Sequence, residues 1–294
     1  MNSIPNFFIV GAAKAGTTSL ASYLGQHPKV FMPDAYREPA FFASGTGFDE
    51  LSEYHALFND ADGNYKAVGE KSTAYLFDEC AAEKIAEYCP TGKIIIVLRD
   101  QVDMAYSLYQ HNRREGLETV PRFVDVVELE ANRLKDPKFS EKVIGYHKNF
   151  CYTARAIYAP QLKRFTDIFP EENIKILDFE DLSNDTLNVV RDLYRWLGVD
   201  SDFMPNIRPE NRGGTMRLQW IHDTFMQNTG LRNIARALTT HRLRRFIYRL
   251  NRRPSGYPSL STKDREQFED LFADDRRELK EKYGLVLKKN TEQH

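Results

Sequence analysis

Four nearly continuous apolar runs stand out along the chain: Phe7 to Gly11, Lys66 to Gly69, Ile94 to Leu98 and Ile174 to Phe179. Unbroken hydrophobicity over so few residues marks strands buried on both faces. Helical spacing follows them. Thr17 to Leu24 puts Leu20 and Leu24 on one face and stops at Gly25. Val102, Ala105, Leu108 and Tyr109 follow the third run, and Val189, Leu193, Trp196 and Leu197 follow the fourth before Gly198. Strands alternating with helices predict an α/β fold of three layers: a central parallel sheet, right-handed crossovers, and ligands at the strands' carboxyl ends. Further on, Phe268, Leu271, Phe272 and Leu279 keep helical spacing within Lys263 to Tyr283. The chain therefore reads as a single domain over 1–294, with an α/β core over 1–215 and a helical C-terminal extension over 216–294. The Pro/Ser/Gly cluster Pro254 to Ser261 reads as a linker within that extension.

Composition narrows the classes. A chain of 294 residues with 41% hydrophobic and 28% charged residues is neither disordered nor fibrous. Lys and Arg number 41 against 42 Asp and Glu, a net charge of -1, so there is no global field for nucleic acid and any anion site is local. The aliphatic run Ile94 to Leu98 is far short of the roughly 20 apolar residues that span a bilayer. The start Met-Asn-Ser-Ile-Pro-Asn lacks a basic and apolar leader, and Asn2 does not fit N-myristoylation, so a cytosolic location is expected. Cys80, Cys89 and Cys151 are odd in number and widely spaced, which predicts reduced thiols.

The first strand leads through Gly11-Ala12-Ala13-Lys14-Ala15-Gly16 into Thr17-Thr18-Ser19. Small residues let the backbone curl around an oxyanion, and the amides of a helix start point at it with the positive end of the dipole. Lys14 adds a full charge, and the hydroxyls add donors. The spacing from Gly11 to Gly16 matches the start of the nucleotide-triphosphatase loop, but Thr17 stands where that pattern requires Lys.

This loop resembles the cradle for the 5'-phosphosulfate in the sulfotransferase superfamily, whose members use 3'-phosphoadenosine 5'-phosphosulfate (PAPS). Arg37-Glu38-Pro39-Ala40-Phe41-Phe42 and Glu70-Lys71-Ser72-Thr73-Ala74-Tyr75 are most similar to its bacterial and carbohydrate-type (heparan-sulfate-type) branches. Lys93 to Asp100, followed by Met104-Ala-Tyr-Ser107, resembles the family's 3'-phosphate strand and helix. The resemblance implies a P-loop-like fold and a PAPS site formed by Ala13, Lys14, Ala15, Gly16, Thr17, Thr18 and Ser19. Arg99 would grip the 3'-phosphate through its planar fork, with Ser107 as a further donor. Arg212 and Gly213 stand where relatives carry a late closing loop, though without the longer basic Gly pattern.

For in-line sulfuryl transfer to a hydroxyl, charge grows on the leaving phosphate oxygen, and Lys14 is the expected cation there. Relatives use a glutamate in the motif that holds Glu38, which makes Glu38 the expected base, with aromatic neighbours walling it from water. Lys71 would contact the sulfuryl oxygens or the acceptor. No metal is expected. The acceptor is expected to be hydroxylated, with a glycan or glycolipid as candidates. A nucleotide kinase or triphosphatase and a non-catalytic nucleotide-binding module stay open as alternative classes. Residues 231–253 read as a basic amphipathic helix with Arg242, Arg245, Arg249 and Arg252 on one face, a candidate for peripheral membrane contact, for an anionic polymer or a partner's acidic face, or for packing on its own domain. The oligomeric state is left open.

Overall fold

A computed structural model describes residues 4–33, 38–45, 48, 50–136, 139, 147–208, 215–216, 252–253 and 257–289. The chain forms two compact units: Met1–Met104, Arg155–Glu210 and Glu269–Glu292 make up the first, and Ala105–Ala154, Asn211–Phe268 and Gln293–His294 the second.

The first unit holds a five-stranded sheet. Its elements in chain order are β1 (Phe7–Gly11), α1 (Thr17–Leu24), β2 (Val30–Phe31), α2 (Leu51–Ala56), β3 (Ala67–Lys71), α3 (Ala74–Phe77), α4 (Ala81–Tyr88) and β4 (Lys93–Leu98). Helix α5 (Gln101–Arg114) carries the chain into the second unit, which contains α6 (Phe123–Lys135). Back in the first unit come α7 (Ala159–Thr166), β5 (Ile174–Asp178), α8 (Phe179–Asn184) and α9 (Thr186–Leu197). The last helices are α10 (Thr262–Leu271) and α11 (Ala273–Tyr283).

The strands run β2-β3-β1-β4-β5, each pair parallel. Phe7, Phe8, Ile9 and Val10 have no exposed surface, so successive side chains of β1 are buried on both faces, as their unbroken hydrophobicity requires. Gly69 lets β3 pass this core: a Cβ there would lie 2.1 Å from the Phe7 ring. The chain leaves β3 on one side of β1 and returns as β4 on the other. That reversal opens a crevice at the carboxyl ends of β1, β3 and β4, where open α/β sheets bind ligands.

The expected parallel α/β sheet is present, with four strands close to their predicted bounds. Strand β2 went unpredicted because two residues carry no periodicity. The expected closing helix is broken at Phe272 into α10 and α11, and Leu271, expected on the apolar face, is half exposed. Arg252, expected on the basic helix, lies in a two-residue strand β7 (Arg252–Arg253) paired antiparallel with β6 (Thr215–Met216). Its neighbour Arg253 precedes Pro254, and a residue before proline is pushed to extended backbone, which ends any helical register at this pair. The rest of 231–253 lies outside the described residues. Cys80, Cys89 and Cys151 are free thiols. No described helix is long and apolar enough to cross a membrane.

In the second unit, Glu118 is held at its buried centre. Its carboxylate accepts from Arg133 at 2.6 and 3.1 Å, from the Thr119 and Val120 amides and from Tyr152 Oη at 3.0 Å. Burial by itself pushes the Glu118 carboxyl up, but the Arg133 and Val120 bonds, the Arg133 charge and the Tyr152 hydroxyl outweigh it and hold the group below its ordinary range. A depressed carboxyl stabilises the fold above its unfolded pKa and loses that contribution as pH falls through the folded value. Arg133→Met is therefore expected to destabilise the protein by about 3 kcal/mol in urea unfolding at pH 7. The gap from wild type should narrow as pH drops below the ordinary carboxyl value of about 4.3.

Candidate active site

Strand β1 ends at Gly11, and the Ala12 amide donates to the Val97 carbonyl at 2.6 Å, tying the loop's start to β4. Gly16 closes the loop at φ 75, and α1 begins there without a side-chain cap. A Cβ on Gly16 would stand 3.0 Å from the Phe179 ring. Lys14 also takes left-handed backbone, at φ 62, which costs a non-glycine residue about 1–3 kcal/mol and needs its surroundings to hold it. Part of that hold comes from Arg99, whose Nη1 donates to the Lys14 carbonyl at 3.2 Å.

Arg99 follows β4 and is buried. Its guanidinium lies 4.7 Å over the Phe179 ring, and its Nε is buried with no hydrogen-bond partner among the described residues. Tyr158 Oη donates to the Arg99 carbonyl at 3.1 Å. Behind Arg99, Asp100 pairs with Arg276 of α11 at 2.9 Å. Asp275 accepts from Gln101 Nε2 at 2.6 Å and from the Tyr158 and Ala159 amides at 2.9 Å. The C-terminal helix thus braces the turn that presents Arg99.

Successive residues at the end of β3 point to opposite faces. The Lys71 side chain is 2% exposed; its Nζ donates to Glu38 Oε1 at 3.0 Å and to Thr18 Oγ1 at 3.2 Å, joining the start of α1 to the Glu38 carboxylate. The other Glu38 oxygen accepts from the Thr73 amide at 3.0 Å and from Thr73 Oγ1 at 2.8 Å. Arg155, stacked on Phe77, donates to the Thr73 carbonyl at 3.0 Å. On the opposite face, Glu70 is fully buried and accepts from Tyr54 Oη at 2.5 Å and Ser72 Oγ at 2.7 Å. Burial pushes its carboxyl up, against the opposing pull of the Tyr54, Tyr75 and Ser72 hydroxyls. Nearby, Phe41, Phe48, Leu51, Lys84 and Tyr88 line an open groove of about 740 Å³.

A loop, a buried arginine and a lysine–carboxylate pair thus meet at the rim of one parallel sheet. The family model described as the sulfotransferase domain matches residues 5–280. The chain belongs to the sulfotransferase family. Human bifunctional heparan sulfate N-deacetylase/N-sulfotransferase 3 is 28% identical over 203 residues, 67% of this chain and 22% of that protein. The Drosophila melanogaster bifunctional heparan sulfate N-deacetylase/N-sulfotransferase is 24% identical over 233 residues, 72% of this chain and 22% of that protein. The chain therefore spans 22% of the length of these curated relatives. The crystal structure of a sulfotransferase from Alicyclobacillus acidocaldarius matches with a TM-score of 0.72 at 28% identity, covering 97% of this chain and 98% of that one.

Within this sulfotransferase fold, Ala13, Lys14, Ala15, Gly16, Thr17, Thr18 and Ser19 lie on the loop and the first turn of α1. Lys71 and Glu38 meet each other, and Arg99 meets the loop through Lys14. Ser107 is buried on α5, in the second unit. Arg212, Gly213 and Arg37 lie outside the described residues. Among the described residues no aromatic wall closes over Glu38, whose side chain is 35% exposed. The aromatic rings serve the core instead, Phe41 stacking on Tyr54 at 4.7 Å and Phe42 packing edge-on against the same ring.

Thr73, Phe179 and Arg155 were missed as parts of the site. Thr73 carried a usable signal, being two residues beyond Lys71 at a strand's carboxyl end. Phe179 carried a weaker one, because its strand is paired with β4 only in the folded sheet. Arg155 carried none. Gly16→Ala is expected to lower stability by about 1–2 kcal/mol, since a Cβ is strained in the left-handed region and would press on Phe179; thermal unfolding measures it.

Proposed function

We propose that the protein is a PAPS-dependent sulfotransferase that transfers a sulfuryl group to a hydroxyl of a carbohydrate-bearing or other polyhydroxylated acceptor. Family membership supports the donor. The arrangement that carries the reading is the Lys71 ammonium, which touches both the phosphate-loop helix at Thr18 and the Glu38 carboxylate. The residues present fit the donor's charge: an uncapped helix start, Lys14, and a buried Arg99 whose Nε has no partner among the described residues.

In this reading Ala13, Lys14, Ala15, Gly16, Thr17, Thr18 and Ser19 hold the 5'-phosphosulfate. Arg99 and Ser107 hold the 3'-phosphate, and Arg212 and Gly213 close on it. Residues 1–294 act as one sulfotransferase domain, with the donor site in 1–215 and a helical extension over 216–294. Bound PAPS supplies an activated sulfuryl group on a phosphate leaving group. Lys14 neutralises the charge that develops on the leaving oxygen as the sulfur–oxygen bond breaks, and the loop amides and Thr17 add fixed donors. Glu38 takes the acceptor proton as the new oxygen–sulfur bond forms. Both of its oxygens are already bonded, but a carboxylate has about four acceptor sites, and its partial exposure leaves room for a hydroxyl. Lys71 fixes its orientation and adds positive charge on the acceptor side. No step calls for a metal ion.

The names of the relatives, heparan sulfate N-sulfotransferases, support a carbohydrate acceptor. The aromatic rim of the groove at Phe41, Phe48 and Tyr88 suits the apolar face of a sugar ring. A cytosolic location remains part of this reading, as do the alternatives for 231–253: peripheral membrane contact, an anionic polymer, or packing on its own domain.

Incubation with labelled PAPS and separate pools of hydroxyl-only and amino-sugar glycans, followed by mass analysis, tests it. Sulfate on hydroxyl-only glycans is expected, and sulfate confined to amino groups would overturn the hydroxyl assignment. Lys14→Ala is expected to lower kcat about a hundred- to thousandfold, and Glu38→Gln at least about a hundredfold. Lys14→Ala at near wild-type turnover would remove it from the leaving-group role. Isothermal titration with adenosine 3',5'-bisphosphate is expected to give saturable binding that Arg99→Ala abolishes or weakens at least tenfold, since a charge-assisted bidentate contact is worth about 1.5–3 kcal/mol.

A further inference from the structure

Glu70 is a fully buried carboxylate for which the proposed reaction has no chemical use. One of its side-chain partners, Ser72, reaches the loop that carries Glu38. Ser72 Oγ donates to Glu70 Oε1 at 2.7 Å and accepts from the Ala40 amide at 2.9 Å. Beside it, the Tyr75 hydroxyl accepts from the Phe42 amide at 3.3 Å. A hydroxyl that donates to a carboxylate has its lone pairs left for a backbone N–H, so the carboxylate fixes the direction in which the Ser72 hydroxyl accepts.

The loop needs such a hold. Ala40 sits at φ 51, a left-handed conformation disfavoured for any residue with a Cβ, two residues from Glu38. The Ala43 amide donates to the Ala40 carbonyl at 3.1 Å, closing a turn, and Ser72 takes the amide on the other side. Such a conformation persists where its surroundings over-determine it, and it clusters where geometry matters for function.

We propose that Glu70 is a positioning residue for sulfuryl transfer: through Ser72 it locks the Pro39–Phe42 turn, and so sets where the Glu38 carboxylate stands. The proposal rests on the reading of Glu38 as the base. Residues 70 to 73 then act as a two-sided clamp. Lys71 and Thr73 grip the carboxylate itself on one face of β3, while Glu70 and Ser72 grip the backbone behind it. Replacing Glu70 by Gln puts an NH₂ where one hydroxyl donates, so either Ser72 or Tyr54 must turn away.

A double-mutant cycle tests this with Glu70→Gln, Glu38→Gln and the combination, reading kcat, KM for PAPS and affinity for adenosine 3',5'-bisphosphate. Glu70→Gln is expected to lower kcat at least about tenfold, with donor KM and bisphosphate affinity within about twofold of wild type. In the Glu38→Gln background it is expected to have no further effect on kcat, because the group it positions is gone. If both single variants lose activity and their losses multiply, Glu70 acts independently of Glu38 and the proposal fails while the base assignment stands. Wild-type kcat in Glu70→Gln overturns the positioning role in the same way. If Glu38→Gln itself keeps full activity, the base assignment fails and the positioning role falls with it. Should Glu70→Gln not fold, Ser72→Ala enters the same cycle, with the same coupling expected and additive losses overturning it.

Discussion

The site depends on one ammonium group. Lys71 ends the strand beside β1 with almost none of its side chain in contact with water, and a charge so placed is costly unless hydrogen bonds and an opposite charge replace the lost hydration. Thr18 and Glu38 supply both. Since Thr18 belongs to the helix that leaves the phosphate loop and Glu38 to a turn between β2 and α2, satisfying this one cation draws together two segments that the sheet alone leaves separate. The same strand end holds the turn a second time through Ser72, so the partner of the cation is fixed from both sides.

The opposite side of the crevice follows the same logic with a different residue. Arg99 is buried against an aromatic ring and uses one of its donors on the carbonyl of Lys14, which is how a lysine comes to occupy left-handed backbone in the middle of the loop. The arginine is thus part of the loop's construction as well as a candidate for holding an anion. That double duty is physically consistent, because a guanidinium has five donors in a fixed fork and can spend them on different partners.

Much of this was legible in the sequence. Continuous apolar runs identified β1, β3, β4 and β5 because a strand buried on both faces cannot alternate, and the strand–loop–helix pattern located the anion cradle at Gly11 to Ser19. Lys71 and Glu38 were singled out from motifs, but nothing in their spacing along the chain announced that they touch. The rest depended on contacts between distant segments. The aromatics beside Glu38 looked like a wall, yet their rings are committed to Tyr54, whose partner Glu70 lies in another strand. Arg252 kept a helical register, yet it lies in a strand with Arg253, the residue that a following proline holds extended.

Asp275 and Arg276 show how far such dependence extends. Domains generally fold as units, and α11 belongs to the same compact unit as α1, β3 and β4. Until Asp275 arrives, the Tyr158 and Ala159 amides lack their carboxylate, and Gln101 and Asp100 lack the partners that brace the turn behind Arg99. The arginine wall of the crevice therefore takes its final shape only with the unit as a whole, through contacts that reach across as many as 176 residues of chain.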